Sequence, residues 1–186
     1  MNYVQPIRSK EKIEEMKSIL KKNGTRDYLL FLFGINVGLR ISDIIKLKVS
    51  DIMNFNSQMK SHIEIKENKT GKVKRFKINS SLANELYRFT QNMNMDDYIF
   101  KSRNGTNTPI TRVRAYIILN EAGKKCGLEE IGTHTLRKTF GYHFYLATHD
   151  VALLQELFNH SSPSITLRYI GITQDTVDNA YENFIL

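Results

Sequence analysis

The sequence predicts an α+β domain that is mostly helical and contains one small antiparallel sheet. Three observations support this fold class. Apolar residues recur every three or four positions in residues 9–22, as they do along one face of an α-helix. Polar and apolar residues alternate in residues 62–66 and 73–78, which is typical of half-buried strands. Helical spacing returns near residue 80 and continues towards the C-terminus.

Three helices are predicted before the strands. Ser9 can cap the first helix, which ends near Lys22. Thr25 can cap the apolar helix that follows, and Gly38 is placed to end it. A short helix is predicted from Ser42 to Leu47. After the strands, further helices are predicted over residues 80–92, 110–126, 134–147, 150–158 and 174–184.

The charge of the chain is unevenly distributed. The formal net charge is +8, and residues 1–80 hold 17 basic and 8 acidic side chains against 10 and 11 in residues 81–186. A basic surface confined to one part of a fold suits a polyanion, because each neutralised phosphate releases counterions. A basic balance can also serve solubility alone. The candidates for DNA contact in the basic half are Lys46, Lys72, Lys74 and Arg75.

Several classes of protein are excluded by what the sequence lacks. Cys126 is the only cysteine, so an internal disulfide or a cysteine zinc site is not expected. The longest apolar run, Tyr28 to Leu39, is too short to span a bilayer, and the N-terminus has no signal peptide pattern. We expect a cytoplasmic protein with no membrane partner.

Two short motifs carry groups suited to phosphate chemistry. His134 and Arg137 lie three residues apart in a predicted helix, which places them on one face. Arg offers a planar fork of donors to a phosphate, and His can exchange a proton near neutral pH. His160 and Tyr169 follow an apolar helix nine residues apart. Taken singly, such residues are more often structural than catalytic.

The order of these residues resembles a known family. The segments Gly38-Leu39-Arg40-Ile41-Ser42-Asp43, Asn68-Lys69-Thr70-Gly71-Lys72, His134-Thr135-Leu136-Arg137, Leu157-Phe158-Asn159-His160-Ser161 and Thr166-Leu167-Arg168-Tyr169 are similar to the successive signature motifs of tyrosine recombinases, the phage-integrase-type enzymes. The resemblance runs from about residue 5 to residue 184. It implies the tyrosine-recombinase catalytic fold, double-stranded DNA as the partner, and no metal or cofactor.

The resemblance also implies a role for each matching residue. Tyr169 is expected to attack a scissile phosphodiester and form a 3′-phosphotyrosyl bond. The guanidiniums of Arg40 and Arg137 are expected to clamp the phosphate oxygens. The remaining matches are Lys69 as the general acid for the leaving 5′-oxygen, His134 as the group that assists proton transfer from the tyrosine, His160 as a phosphate hydrogen-bond donor, and Asp43 as a support of the pocket.

Two departures from the family pattern are visible, and one part of the larger relatives is missing. Lys138 stands where many relatives have a second His, and Asn159 stands where Gly is usual. The motifs begin almost at Met1, so the sequence is either a piece of a longer protein or one of the small single-domain recombinases. We expect the second, with residues 1–186 as a single catalytic domain without the N-terminal DNA-binding domain. We therefore expect weak binding by the lone protein and help from an accessory DNA-binding protein or from self-association, for which residues 174–186 are a candidate surface.

Alternative functions remain open from the sequence. The fold can serve a DNA-binding regulator that acts without strand cleavage. The same chemistry can serve a type IB topoisomerase, which relaxes supercoiled DNA without pairing two sites. A metal-free ribonuclease is a further alternative, in which His134, His160 and Lys69 act on a 2′-hydroxyl and Tyr169 has no role. The choice among integration, excision, inversion and resolution is likewise left open.

Overall fold

The computed structural model describes residues 4–67 and 71–184, and it confirms the mostly helical α+β architecture. In the described part, ten helices accompany one sheet of two strands. The elements are α1 (Lys10–Asn23), α2 (Thr25–Val37), α3 (Ile41–Ile44), α4 (Val49–Ile52), β1 (Ile63–Lys66), β2 (Val73–Phe76), α5 (Ser80–Thr90), α6 (Arg112–Lys125), α7 (Thr135–Thr148), α8 (Val151–Phe158), α9 (Pro163–Ile170) and α10 (Ile172–Asn183). None of these helices is long and apolar enough to cross a membrane.

The main core is built around α2. This helix is apolar on nearly every side, with Leu29, Leu30, Phe31 and Phe33 fully buried, and a helix of that kind is stable only inside a fold. It packs against α1, α5 and α7. The Ser9 hydroxyl accepts from the Lys12 amide and caps α1, as the sequence predicts.

A second, smaller apolar cluster lies among α7, α8 and α9. Its fully buried members in the described residues are Leu154, Phe158 and Ile170. Half-buried aromatic side chains, among them Phe140 and Tyr169, pack against them. The two clusters meet where α7 passes from α2 to α9, and the sequence-predicted catalytic residues lie at this junction.

The sheet is an antiparallel hairpin in which Ile63 pairs with Phe76 and Lys66 with Val73. Along β1 the side chains alternate, with Ile63 buried and Glu64 exposed. Along β2, Lys74 and Phe76 are half-buried whereas Val73 and Arg75 are exposed. The hairpin therefore presents one face to the helices, and that face includes a lysine.

Some predicted boundaries are wrong. Gly24, and not Thr25, occupies the cap position of α2, because Thr25 already has helical geometry. The short helix spans Ile41–Ile44 and continues only as turns. Two helices were not predicted: α4, which has four residues, and α9, which begins at a proline after the cap residue Ser162. Proline at the first helical position and serine before it are favourable, so this start was visible in the sequence.

Replacing Gly38 by alanine is expected to lower the free energy of unfolding by about 2–5 kcal/mol, as the sum of left-handed strain and overpacking. Gly38 ends α2 with φ +68°, and an added Cβ would lie 2.2 Å from Cδ1 of Phe140. Gly127 is the matched control, because it has φ +71° and no described atom lies within 4 Å of the position of its Cβ. Gly127→Ala is expected to cost only the strain, about 1–2 kcal/mol. Equal losses in urea unfolding would contradict the steric argument.

Candidate active site

Arg137 connects the two parts of the site. It lies at the third position of α7, and its side chain is buried. Its guanidinium donates through Nη1 to the Gly38 carbonyl, 2.8 Å away, and through Nη2 to the Phe158 carbonyl, 2.9 Å away. Its Cζ atom also lies 4.2 Å from the centroid of the Phe158 ring. Arg137 thus joins the C-terminal ends of α2 and α8, and backbone groups of the protein set its orientation.

Tyr169 is held by aromatic contacts on α9. Its ring centroid lies 5.1 Å from that of His160 and 5.7 Å from that of Phe158, both in edge-to-face arrangements. Such arrangements are favoured between aromatic rings and limit the rotation of the side chain. The Tyr169 hydroxyl lies 3.4 Å from Nδ1 of His134, at the upper limit for a hydrogen bond. The hydroxyl is therefore directed at a group that can take its proton.

The pKa shifts of Tyr169 and His134 set the resting protonation states of the pair, but they oppose the transfer itself, because the pKa of the donor rises and that of the acceptor falls. Burial raises the pKa of Tyr169, and the positive charges of Arg137 and Arg40 oppose the rise. The hydroxyl is therefore protonated at neutral pH and needs a base to become a nucleophile. Partial removal from water lowers the pKa of His134, and the charges of Arg112 and Arg137 lower it further. His134 is accordingly a neutral imidazole at neutral pH, the form that accepts a proton.

His160 is oriented by a buried threonine. Its Nδ1 atom lies 3.0 Å from Oγ1 of Thr166, a side chain with no solvent exposure. Burial lowers the pKa of His160, with further contributions from Arg137 and Arg40. Thr166 thus fixes the orientation of the imidazole ring through one of its two nitrogens.

Arg40 and Asp43 enter the site from the segment after α2. Arg40 is the residue before α3, and about a fifth of its side chain is exposed, 19%. Its Nη1 atom lies 2.9 Å from Oε1 of Glu67. Asp43 is buried in α3, and its negative charge acts on Arg137. Two guanidiniums and two carboxylates thus lie close together.

Glu67 is the residue of the site that the sequence analysis missed. It follows β1, and its side chain has no solvent exposure although it carries a carboxylate. Residues 63, 65 and 67 are spaced by two, the period that places side chains on the same face of a strand. Continuing the alternation of β1 by one more step would have placed Glu67 with the buried Ile63 and directed attention to it.

The predicted DNA-contact residues fall into two groups. Lys46 and Lys72 are exposed, and so is Arg75, which lies 3.6 Å from Glu64. Lys74 instead points inward: its ammonium lies 3.1 Å from Glu67 Oε1 and also donates to the carbonyl of Leu157. Lys74 therefore lies between Glu67 and the end of α8.

The structure brings together the predicted catalytic residues that it describes. Lys69 lies outside the described residues. In residues 4–67 and 71–184, no group of three or more His, Cys, Asp or Glu side chains is arranged to hold a metal ion. The predicted residues that lie together at the junction are Arg40, Asp43, His134, Arg137, His160 and Tyr169.

Comparison with known proteins gives consistent matches. The phage integrase family model matches residues 8–175. The probable integrase/recombinase YoeC of Bacillus subtilis is 55% identical over 184 residues, which cover 99% of this chain and 98% of the relative. Tyrosine recombinase XerA of Pyrococcus furiosus is 29% identical over 176 residues, 94% of this chain and 60% of the relative. The chain thus spans nearly the whole of one relative and about three fifths of the other.

Solved structures show the same fold. The crystal structure of XerA recombinase superposes with a TM-score of 0.74 at 19% identity, over 97% of this chain and 65% of that one. XerH site-specific recombinase bound to palindromic difH substrate superposes with a TM-score of 0.72 at 22% identity, over 98% and 54%. At these identities the likeness establishes the fold alone, and it confirms the fold expected from the sequence motifs.

Proposed function

Because the chain belongs to the phage integrase family of tyrosine site-specific recombinases, we propose that it cuts and rejoins DNA through a covalent intermediate on Tyr169. The observation that carries this proposal is the position of the Tyr169 hydroxyl, 3.4 Å from Nδ1 of His134, the residue that precedes α7, the helix that holds Arg137. The nucleophile on α9 thus meets a neutral base and a buried cation that lie more than 30 residues before it in the chain. Cleavage of a DNA strand through a phosphotyrosine uses all three, and the family assigns this chemistry to site-specific recombination.

In the proposed step, one bond forms at the scissile phosphorus and another breaks. The Tyr169 oxygen attacks the scissile phosphorus, its proton passes to His134, and a phosphotyrosyl bond forms while the bond from phosphorus to the 5′-oxygen breaks. The leaving 5′-oxygen takes a proton from Lys69, the role that the family motif assigns to this residue. Since the new bond retains the energy of the phosphodiester, rejoining needs no ATP.

Charge stabilisation is the task of Arg40, Arg137 and His160. A phosphodiester repels nucleophiles, and its non-bridging oxygens gain charge in the transition state. Donors held in place before the reaction stabilise such charge, each by about 3 kcal/mol. Arg137 is held by two backbone carbonyls, and Arg40 by Glu67. Nε2 of His160 can donate to a phosphate oxygen in the tautomer whose Nδ1 accepts from the Thr166 hydroxyl.

The test uses nicked suicide duplexes, from which the short strand beyond the cleavage site is lost so that cleavage cannot be reversed. A library of such duplexes carrying mobile-element ends would be incubated with the protein and separated on a denaturing gel. A protease-sensitive adduct is expected. DNA binding without an adduct would favour a regulator that acts by occupancy. Relaxation of plasmids with no site preference would favour a topoisomerase, and cleavage restricted to RNA a ribonuclease.

We also propose that α10 mediates self-association on DNA. Ile172 at the start of this helix packs against the smaller apolar cluster, but no residue of the helix is fully buried, and the apolar side chains further along it are exposed. Val177, Tyr181 and Phe184 are respectively 43%, 80% and 69% exposed. The start of the helix is fixed by an ion pair of 2.7 Å between Asp175 and Arg8.

Replacing Val177, Tyr181 and Phe184 together by serine is expected to reduce the mass of the protein–DNA assembly to that of separate subunits. The thermal unfolding midpoint should change little, because the replaced side chains are exposed. Light scattering measures the mass of the protein–DNA assembly. The matched control replaces Val113, which is exposed on α6, by serine. An unchanged assembly mass in the triple variant would remove α10 from the interface.

A further inference from the structure

The buried carboxylate of Glu67 joins Lys74 of the hairpin to Arg40. Glu67 Oε1 lies 2.9 Å from Nη1 of Arg40 and 3.1 Å from Nζ of Lys74. Its other oxygen, Oε2, accepts from Nδ2 of Asn159 at 3.3 Å. One carboxylate therefore engages two cations and an amide, and its side chain has no contact with solvent.

These partners come from three separate elements. Arg40 precedes α3, Lys74 lies in β2, and Asn159 ends α8. Asn159 has φ +51°, the left-handed conformation that asparagine tolerates better than most residues. A glycine would fit the same backbone but would have no side chain to reach Glu67. Lys74 adds a further link to α8 through the Leu157 carbonyl.

The Glu67 carboxylate restrains the Arg40 guanidinium, whose position is expected to affect the cleavage rate. An arginine side chain is long and loses rotamer freedom when it is fixed. A group misplaced by about 1 Å can cost about 10²-fold in rate. A buried carboxylate is costly unless its partners are well placed, so the cluster has one favourable arrangement and not many.

We propose that Glu67 is a positioning residue for strand cleavage, which holds the Arg40 guanidinium for the scissile phosphate and fastens the β1–β2 hairpin, whose connection contains Lys69, to the end of α8. This inference rests on the proposed function. Glu67 itself touches neither the phosphate nor Tyr169 in the proposed step; it acts through Arg40 and through the hairpin.

A competing role makes the opposite prediction. If Glu67 occupied Arg40 as a substitute for the phosphate and had to be displaced, removing its charge would free the arginine and accelerate cleavage. Positioning predicts slower cleavage. The sign of the change in rate therefore separates the two.

The first experiment measures single-turnover cleavage of the suicide duplex at saturating protein. Glu67→Gln is expected to cleave about 10- to 100-fold more slowly than the parent protein. DNA affinity should be equal or greater, because a negative charge is removed. Glu64→Gln is the matched control, since Glu64 is an exposed carboxylate in the same hairpin. A rate equal to that of the control, or a faster one, would overturn the proposal.

A second substrate separates positioning from general damage to the fold. A methylphosphonate at the scissile position lacks one of the charges that Arg40 neutralises, so the penalty of Glu67→Gln should be smaller on this substrate. Equal penalties on both substrates would mean that Glu67 does not act through Arg40. Asn159→Gly, which suits the left-handed backbone, should show a smaller loss in the same direction.

Failure of this inference is distinguishable from failure of the proposed function. A parent protein that forms no adduct with any duplex overturns both. A parent protein that forms the adduct, together with a Glu67→Gln variant of equal rate, overturns only the role of Glu67.

Discussion

Replacing Tyr169 by phenylalanine is expected to abolish the covalent adduct completely while DNA binding is retained. The attacking oxygen is absent from the variant, and none of the neighbouring groups can replace it at the same position. The ring keeps its edge-to-face contacts with His160 and Phe158 and its place 5.2 Å from the ammonium of Lys138. The loss should therefore be chemical and not structural.

The measurement combines the suicide duplex with thermal unfolding. Tyr169→Phe should change the free energy of unfolding by about 1 kcal/mol or less, the range of one modest hydrogen bond. Tyr116→Phe on α6 is the control, because it removes a hydroxyl from a partly exposed tyrosine and should leave the adduct unchanged. Adduct formation by Tyr169→Phe would assign the nucleophile to another residue.

Replacing Arg137 by lysine is expected to reduce the cleavage rate by about 10³-fold, the upper range for losing one transition-state donor. The guanidinium bonds two carbonyls that lie 21 residues or more from it along the chain, and it still has N–H groups for the phosphate. A lysine ammonium is a compact charge without this fork, so it cannot bond both carbonyls and face the phosphate in the same geometry.

The same substitution should also destabilise the fold. At least one buried carbonyl would lose its donor, which costs about 1–3 kcal/mol. Arg168→Lys is the control, because Arg168 is exposed beside Tyr169 and keeps its charge after the change. Single-turnover rates and urea unfolding of both variants provide the comparison. A loss of less than tenfold in Arg137→Lys would show that the guanidinium geometry is not required.

Local rules were sufficient for the parts of the fold that depend on local chemistry. Ser9 caps α1, the alternating residues form β1 and β2, and Gly38 ends α2 in the left-handed conformation. The start of α9 was missed because Ser162-Pro163 resembles a loop when the preference of proline for the first helical turn is not considered.

The candidate site was predictable only in part. The three-residue spacing predicts that His134 and Arg137 lie on one face of a helix. Their approach to Tyr169 is implied only by the family resemblance, since no local rule joins residues 32 or more positions apart. The charge of Lys74 alone predicts a DNA contact, whereas the strand period predicts that its side chain points inward. Phe76, two residues later, is on the same inward face, and this neighbour indicates where Lys74 points.

The division of the interior into a large and a small apolar cluster has a consequence for when the site is complete. Proteins open locally in cooperative units, and units with less buried apolar surface open at lower free energy. Tyr169 and His160 belong to the unit of α8 and α9, whereas Arg40 follows the end of α2, the centre of the larger unit. We therefore expect the segment that carries the nucleophile to open at a lower free energy than the segment around α2. A phosphate bound by Arg40, Arg137 and His160 would contact both units. Binding of the substrate would therefore disfavour local opening of the segment that carries Tyr169.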